Sequence, residues 1–148
     1  MKKGEIYEGV IEKVDFPNKG YVFVEDQKIL IKNGIPGQKV RFMFQKKRAG
    51  RVQGRILEVL EKSSQETREP VCSNFPACGG CMYQTMSYEN QLKMKETQIR
   101  ELLENALIQG GQTDAESRAD FEWEGIHGSP IEFGYRNKME FSFGDEVK

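Results

Sequence analysis

No apolar run approaches the roughly 20 residues that a membrane-spanning helix needs. The opening Met1-Lys2-Lys3-Gly4-Glu5 leads into alternating polar and apolar residues, not into the apolar core of a secretion signal. Cysteine is scarce, with three in 148 residues, all lying between positions 72 and 81. An odd, clustered set makes no disulfide framework and suits a metal site in a reducing compartment, which points to the cytoplasm. No glycine-rich phosphate loop is present either. The glycine pairs Gly79-Gly80 and Gly110-Gly111 lack the strand-turn-helix setting such loops require. Acidic residues are absent between Lys28 and Leu57, a stretch holding nine cations: Lys28, Lys32, Lys39, Arg41, Lys46, Lys47, Arg48, Arg51 and Arg55.

That gap exposes an asymmetry hidden by the net charge of −1. Residues 1–62 hold 14 Lys/Arg against 8 Asp/Glu, and residues 63–148 hold 8 against 15. A basic first part beside an acidic neighbour suits contact with nucleic acid, although a merely solvated basic face has the same composition.

The first sixty residues predict short strands. Polar and apolar residues alternate from Glu5 to Val14, with Ile6, Val10 and Val14 on one face and Tyr7, Gly9 and Ile11 on the other. Tyr21–Val24, Lys28–Ile31, Lys39–Lys47 and Val52–Leu60 follow, separated by Pro17-Asn18-Lys19-Gly20, Glu25-Asp26-Gln27, Asn33–Gly37 and Ala49-Gly50. Five strands in so short a span predict an oligonucleotide-binding-type barrel over 1–62. Tyr21, Phe23, Phe42 and Phe44 are available for base stacking, but a barrel this small needs aromatics inside, and core is the expectation.

Residues 63–70 are polar, end in Pro70 and read as a linker. Ser87 is a fitting N-cap for a helix to about Leu107, with Gly110-Gly111 as its end. Tyr88, Leu92, Ile99, Leu102, Leu103, Ala106 and Leu107 share one side of it at helical spacing. Residues 112–120 are polar and acidic, and Tyr135–Phe143 alternates as a strand. The fold class expected is thus mainly β with one α-helix: a five-stranded barrel, a cysteine loop with its helix over 71–111, and the first strands of an incomplete second domain over 112–148.

Cys72, Cys78 and Cys81 form a C-x5-C-x2-C loop with Pro76, Gly79 and Gly80 inside it. Glycines let the backbone fold tightly round a metal centre, and the following helix N-terminus favours thiolate. Three thiolates supply three of the four ligands of a four-iron cluster. Alternatively, they bind zinc with His127, the single histidine, as a Cys3His site, although His127 reads more simply as a loop residue. A redox dithiol of Cys78 and Cys81 would expect a preceding strand, and none is visible.

Four segments in order resemble the S-adenosylmethionine-dependent RNA uracil-5-methyltransferases that carry an N-terminal TRAM domain. They are Gly34-Ile35-Pro36-Gly37-Gln38-Lys39-Val40; Ser64, Arg68, Pro70 and Cys72; Cys78-Gly79-Gly80-Cys81 with Tyr88, Gln91, Leu92 and Lys95; and Gly134-Tyr135-Arg136-Asn137-Lys138-Met139-Glu140-Phe141. The second has one residue more than the family spacing. This resemblance implies a TRAM-type RNA-binding barrel, a four-iron, four-sulfur cluster on Cys72, Cys78 and Cys81, ribosomal or transfer RNA as substrate, and methyl transfer to uridine carbon 5. It also implies that the catalytic cysteine, its base, the S-adenosylmethionine pocket and the fourth cluster cysteine lie downstream, so the 148-residue chain is inactive alone. The alternative is a stand-alone RNA- or zinc-binding module. In either case a monomer is expected, and Lys39, Arg41, Lys46, Lys47, Arg48, Arg51, Arg55, Arg136 and Lys138 are the candidate RNA contacts.

Overall fold

The computed structural model describes residues 2–48, 51–76, 80–111, 122–138 and 140, with backbone alone at 46–48 and 51. Among the described residues the chain is mainly β with a single helix. The strands are β1 (Ile6–Val10), β2 (Lys13–Asp15), β3 (Lys19–Val24), β4 (Gln27–Lys32), β5 (Lys39–Arg48) and β6 (Arg51–Glu61), followed by helix α1 (Tyr88–Gln109). They form one curled sheet in the order β1-β5-β6-β4-β3-β2, antiparallel except for the β4–β6 pair.

The sheet has six strands and not five because the first predicted strand is bent in two. Ile11 donates to the Gln38 carbonyl at 2.9 Å, while the next residue, Glu12, donates to the Tyr21 carbonyl at 3.0 Å. The chain therefore leaves the β5 side at Ile11 and joins β3 one residue later. That corner also resets the alternation. Val14 is buried, whereas Ile6 and Val10, placed on its face by simple period-2 counting, are 57% and 47% exposed. The inward set is Ile11, Val14, Val22, Ile29, Ile31, Val40, Phe42, Phe44 and Val52. Burying these side chains supplies the main drive for the barrel to form.

Two turns show how sequence sets register. Glu25 and Asp26 both take positive φ, 49° and 61°, between the paired residues Val24 and Gln27, the two-residue hairpin whose twist matches the strands. Gly54 lies where β6 crosses the core; a Cβ there would come within 2.7 Å of the Phe42 ring and 2.8 Å of Ile31.

Residues 63–70, polar enough to read as a linker, form a docked joint. Ser63 is buried, and its hydroxyl donates to the Pro36 carbonyl. Glu66 accepts from the Ser63 amide (2.8 Å), the Gln38 side chain (2.8 Å) and the Thr85 hydroxyl (2.7 Å). A second small core of Ile35, Tyr83 and Met86, with Met94 against it, joins barrel, cysteine segment and helix.

Helix α1 begins at Ser87, whose hydroxyl accepts from the Asn90 amide, and ends at Gly110. Its apolar stripe is not the side that meets the barrel. Gln98, the one buried residue of the helix, donates to the Val14 carbonyl at 2.6 Å, and Glu101 pairs with Lys13 at 2.6 Å. Ile99, Leu102 and Leu103 stay exposed. The strand expected over Tyr135–Phe143 is not formed at 135–138 or 140; the rest of it lies outside the described residues. A strand needs a neighbour to satisfy its backbone groups, and no described strand pairs with this segment.

Candidate functional site

The cysteine loop is tied at both ends. Arg68, before it, donates its amide to the Thr85 carbonyl at 3.1 Å and its Nε to the Gln84 carbonyl at 2.9 Å. Gln84, three residues past Cys81, accepts the Cys72 amide on its side-chain oxygen at 3.2 Å. One residue, Gln84, thus clamps the entry and the exit of the loop. The Phe75 amide closes a turn on the Cys72 carbonyl at 3.1 Å. Gln91, in the first turn of α1, fixes the exit further by donating to the carbonyls of Tyr83 (3.0 Å) and Met86 (3.2 Å).

Cys72 and Cys81 are free thiols, the first partly buried and the second exposed. Cys78 lies outside the described residues. Two unpaired thiols on one clamped loop are soft donors of the kind an iron–sulfur cluster or zinc takes, so the donor chemistry fits either group. Among the described residues, which do not include Cys78, no three of the His, Cys, Asp and Glu side chains gather as a ligand group. Beside Cys81 opens a cleft of about 600 Å³, lined among others by Arg68, Gln91, Lys95, Phe133, Tyr135 and Arg136. Arg68 also pairs with Glu132 at 2.7 Å and lies 5.5 Å from the Phe133 ring centre.

The candidate RNA contacts do not form one uniform surface. Lys39 is bound to Glu61 at 2.9 Å, and Arg41 is held between Glu8 at 2.8 Å and Glu58 at 2.7 Å. The hydrogen bonds to Glu61 and Glu8 raise the pKa of Lys39 and of Arg41, so both cations are tuned to carboxylates on neighbouring strands. Arg55 is exposed and makes no ion pair among the described residues. Lys46, Lys47, Arg48 and Arg51 are described by backbone register alone: Lys46 opposite Gln53, Lys47 opposite Val52, Arg48 opposite Arg51. Arg136 is brought to the cysteine-loop cleft, whereas Lys138 pairs with Glu140 at 2.8 Å. Phe42 and Phe44 are core, as expected, but Phe23 is outside. Strict alternation along Gly20–Phe23, with Val22 turned inward, was the signal that could have found it.

No family model matches the chain. It is 43% identical over 146 residues to a protein of Caldanaerobacter subterraneus named an uncharacterized RNA methyltransferase, covering 99% of this chain and 30% of that protein. A protein of Clostridium tetani with the same description is 41% identical over 148 residues, and one of Clostridium acetobutylicum 39% identical over 148. In both, the match covers all of this chain and 30% of the relative. The chain is thus related, from end to end, to a stretch of proteins named as RNA methyltransferases. It spans about 30% of the length of these relatives.

Proposed function

We propose that this chain is the RNA-holding and cluster-bearing N-terminal portion of an S-adenosylmethionine-dependent RNA uracil-5-methyltransferase. The observation that carries the proposal is end-to-end similarity, at 39–43% identity, to proteins named RNA methyltransferases. A Gln84-clamped thiol loop joined to a curled β-sheet supports it. The barrel contributes phosphate contacts through its cations, which position RNA without reading its sequence. Cys72, Cys78 and Cys81 hold a four-iron, four-sulfur cluster with a fourth thiolate from outside residues 1–148. The catalytic nucleophile, its base and the cofactor pocket lie outside them too. Ribosomal or transfer RNA is the substrate, in the cytoplasm, and the protein acts as a monomer. No helix of the described residues is long and apolar enough to cross a membrane.

The test is to incubate the full-length protein carrying this chain with labelled S-adenosylmethionine and unmodified cellular RNA, then digest and identify the methylated nucleoside. 5-Methyluridine is expected, and residues 1–148 alone should give no product. A methylated base other than uracil, or turnover by the 148-residue chain itself, refutes the assignment. Independently, replacing Lys46, Lys47, Arg48 and Arg51 with alanine should weaken all RNAs alike and flatten the salt dependence, which for about four to six phosphate contacts has a slope on the order of −3 to −5.

A further inference from the structure

The exterior of β3, β4 and β6 differs from that of β1 and β5. Gly20 and Val22 are buried, so Tyr21 and Phe23 stand on the outer face, one pleat apart. Phe23 is 46% exposed. Across the hairpin, Lys28 lies opposite Phe23, Leu30 opposite Tyr21 and Lys32 opposite Lys19. On the next strand, Gly54 pairs with Ile31 in parallel register, which puts Arg55 beside Lys32. Lys19, Lys28, Lys32 and Arg55 make no ion pair among the described residues, in contrast to Lys39 and Arg41. The Lys28 ammonium sits 3.7 Å from the centre of the Tyr21 ring, a cation–π contact that holds it over the sheet.

An exposed ring bordered by uncommitted cations has the chemistry of a single-strand seat. The ring face accepts any unpaired base, and the cations meet the adjoining phosphates. A duplex offers the cations its phosphates but has no base face to give the ring. We infer that the outer face of β3, β4 and β6 binds unpaired RNA, with Phe23 stacking one base, Lys28, Lys32 and Arg55 contacting flanking phosphates, and Tyr21 positioning Lys28. The inference rests on the RNA-binding reading above and adds which form of RNA this face takes and through which residues. Glu25 and Asp26 at the hairpin tip bound the seat at one end, since carboxylates repel phosphate. At the other end, the turn before β3 meets the cysteine segment: Asn18 donates to the Asn33 side chain at 2.9 Å and accepts from the Tyr83 hydroxyl at 3.0 Å. RNA crossing the seat is therefore led toward the cysteine loop.

Fluorescence anisotropy of the 148-residue chain tests this, using a labelled, unstructured uridine-rich oligonucleotide of about ten nucleotides and a blunt-ended RNA duplex of about ten base pairs. Phe23→Ala should weaken the single strand about tenfold or more, from the usual worth of one stacked base, and leave duplex affinity and the protein's melting temperature unchanged. Phe23→Trp should restore single-strand binding. Lys28→Ala with Arg55→Ala should lower the salt slope for both RNAs. Unchanged single-strand affinity in Phe23→Ala, or equal weakening of both RNAs, overturns the seat while leaving RNA binding intact. Failure of the unsubstituted chain to bind either RNA removes the underlying reading as well.

Discussion

The side-chain amide of Gln98 in α1 donates to the backbone carbonyl of Val14 in β2 at 2.6 Å, joining residues 84 positions apart. Gln98 is buried, and Val14 belongs to the barrel core, so this bond fixes the helix to the sheet away from water. It acts beside the apolar contact of Met94 with the small core of Ile35, Tyr83 and Met86.

Replacing Gln98 with alanine or leucine removes the donor and leaves a buried carbonyl unpaired, which costs about 1–3 kcal/mol. Urea unfolding should show the unfolding free energy lowered by that amount, as a lower midpoint with little change in slope. Glu101→Gln removes only a partly exposed ion pair with Lys13 and should cost about 1 kcal/mol or less. If Gln98→Ala were as mild as Glu101→Gln, the bond to Val14 would not be what holds the helix in place.

The contrast between these residues shows how much was legible in the sequence. Most strand positions and both helix ends followed from local signals, namely β-branched runs, Ser87 and Gly110, while the Glu25-Asp26-Gln27 turn was one residue too long, Gln27 belonging to β4. What depended on distant partners was hidden. The polar residues Ser63, Glu66, Thr85 and Gln98 look the same in a solvated stretch and in a hydrogen-bonded joint, because composition does not record where the partner lies. Period-2 counting failed at Ile11 for a similar reason, since a bent strand keeps its alternation only on either side of the bend. At the thiol loop the spacing pointed to Cys72 and Cys81 as donors, but nothing in it signalled Gln84, whose role exists only once the loop has closed. In the basic run, Lys39 and Arg41 read like Arg55 until their carboxylate partners on adjacent strands became visible.

Gly54 should tolerate no side chain. Its Cβ position falls 2.7 Å from the Phe42 ring and 2.8 Å from Ile31, both fully buried. Gly54→Ala therefore overpacks the centre of the barrel, with an expected loss of about 1–3 kcal/mol. A matching alanine at Gly111, where no atom lies within 4 Å, meets no clash and suffers only the strain of its positive φ. Thermal melting of the two variants, with the larger drop at Gly54, checks the packing.

Stability should fall on the alkaline side through Tyr83. Burial pushes its phenol above the ordinary value of 10.0, and the neutral hydroxyl donates to Asn18. The folded state thus holds the proton more tightly than the unfolded chain. For a group with a raised pKa, the stabilisation is complete below the unfolded value and declines as pH rises through the folded one. Lys13, raised by its hydrogen bond to Glu101, acts in the same direction. Melting temperatures between pH 8 and about 11 should decline from near pH 10 upward, and Tyr83→Phe should make that decline shallower. A slope unaltered by Tyr83→Phe would assign the loss to other groups.

The metal prediction separates the two chemistries open to the thiol loop. Three thiolates leave one iron of a four-iron cluster without a protein ligand from residues 1–148, so oxygen should strip iron from this chain on aerobic purification, and zinc can then occupy the thiolates. After anaerobic reconstitution, iron and acid-labile sulfide should appear in roughly equal amounts, with the broad visible absorption of a cluster. Cys72→Ser, Cys78→Ser and Cys81→Ser should each abolish them. Gln84→Ala should lower retention without removing a ligand, because Gln84 ties the Cys72 backbone to the far side of the loop. Zinc through His127 requires the histidine to approach the thiols. Tight stoichiometric zinc that resists exchange for iron and weakens in His127→Ala would decide for the Cys3His site and against the cluster.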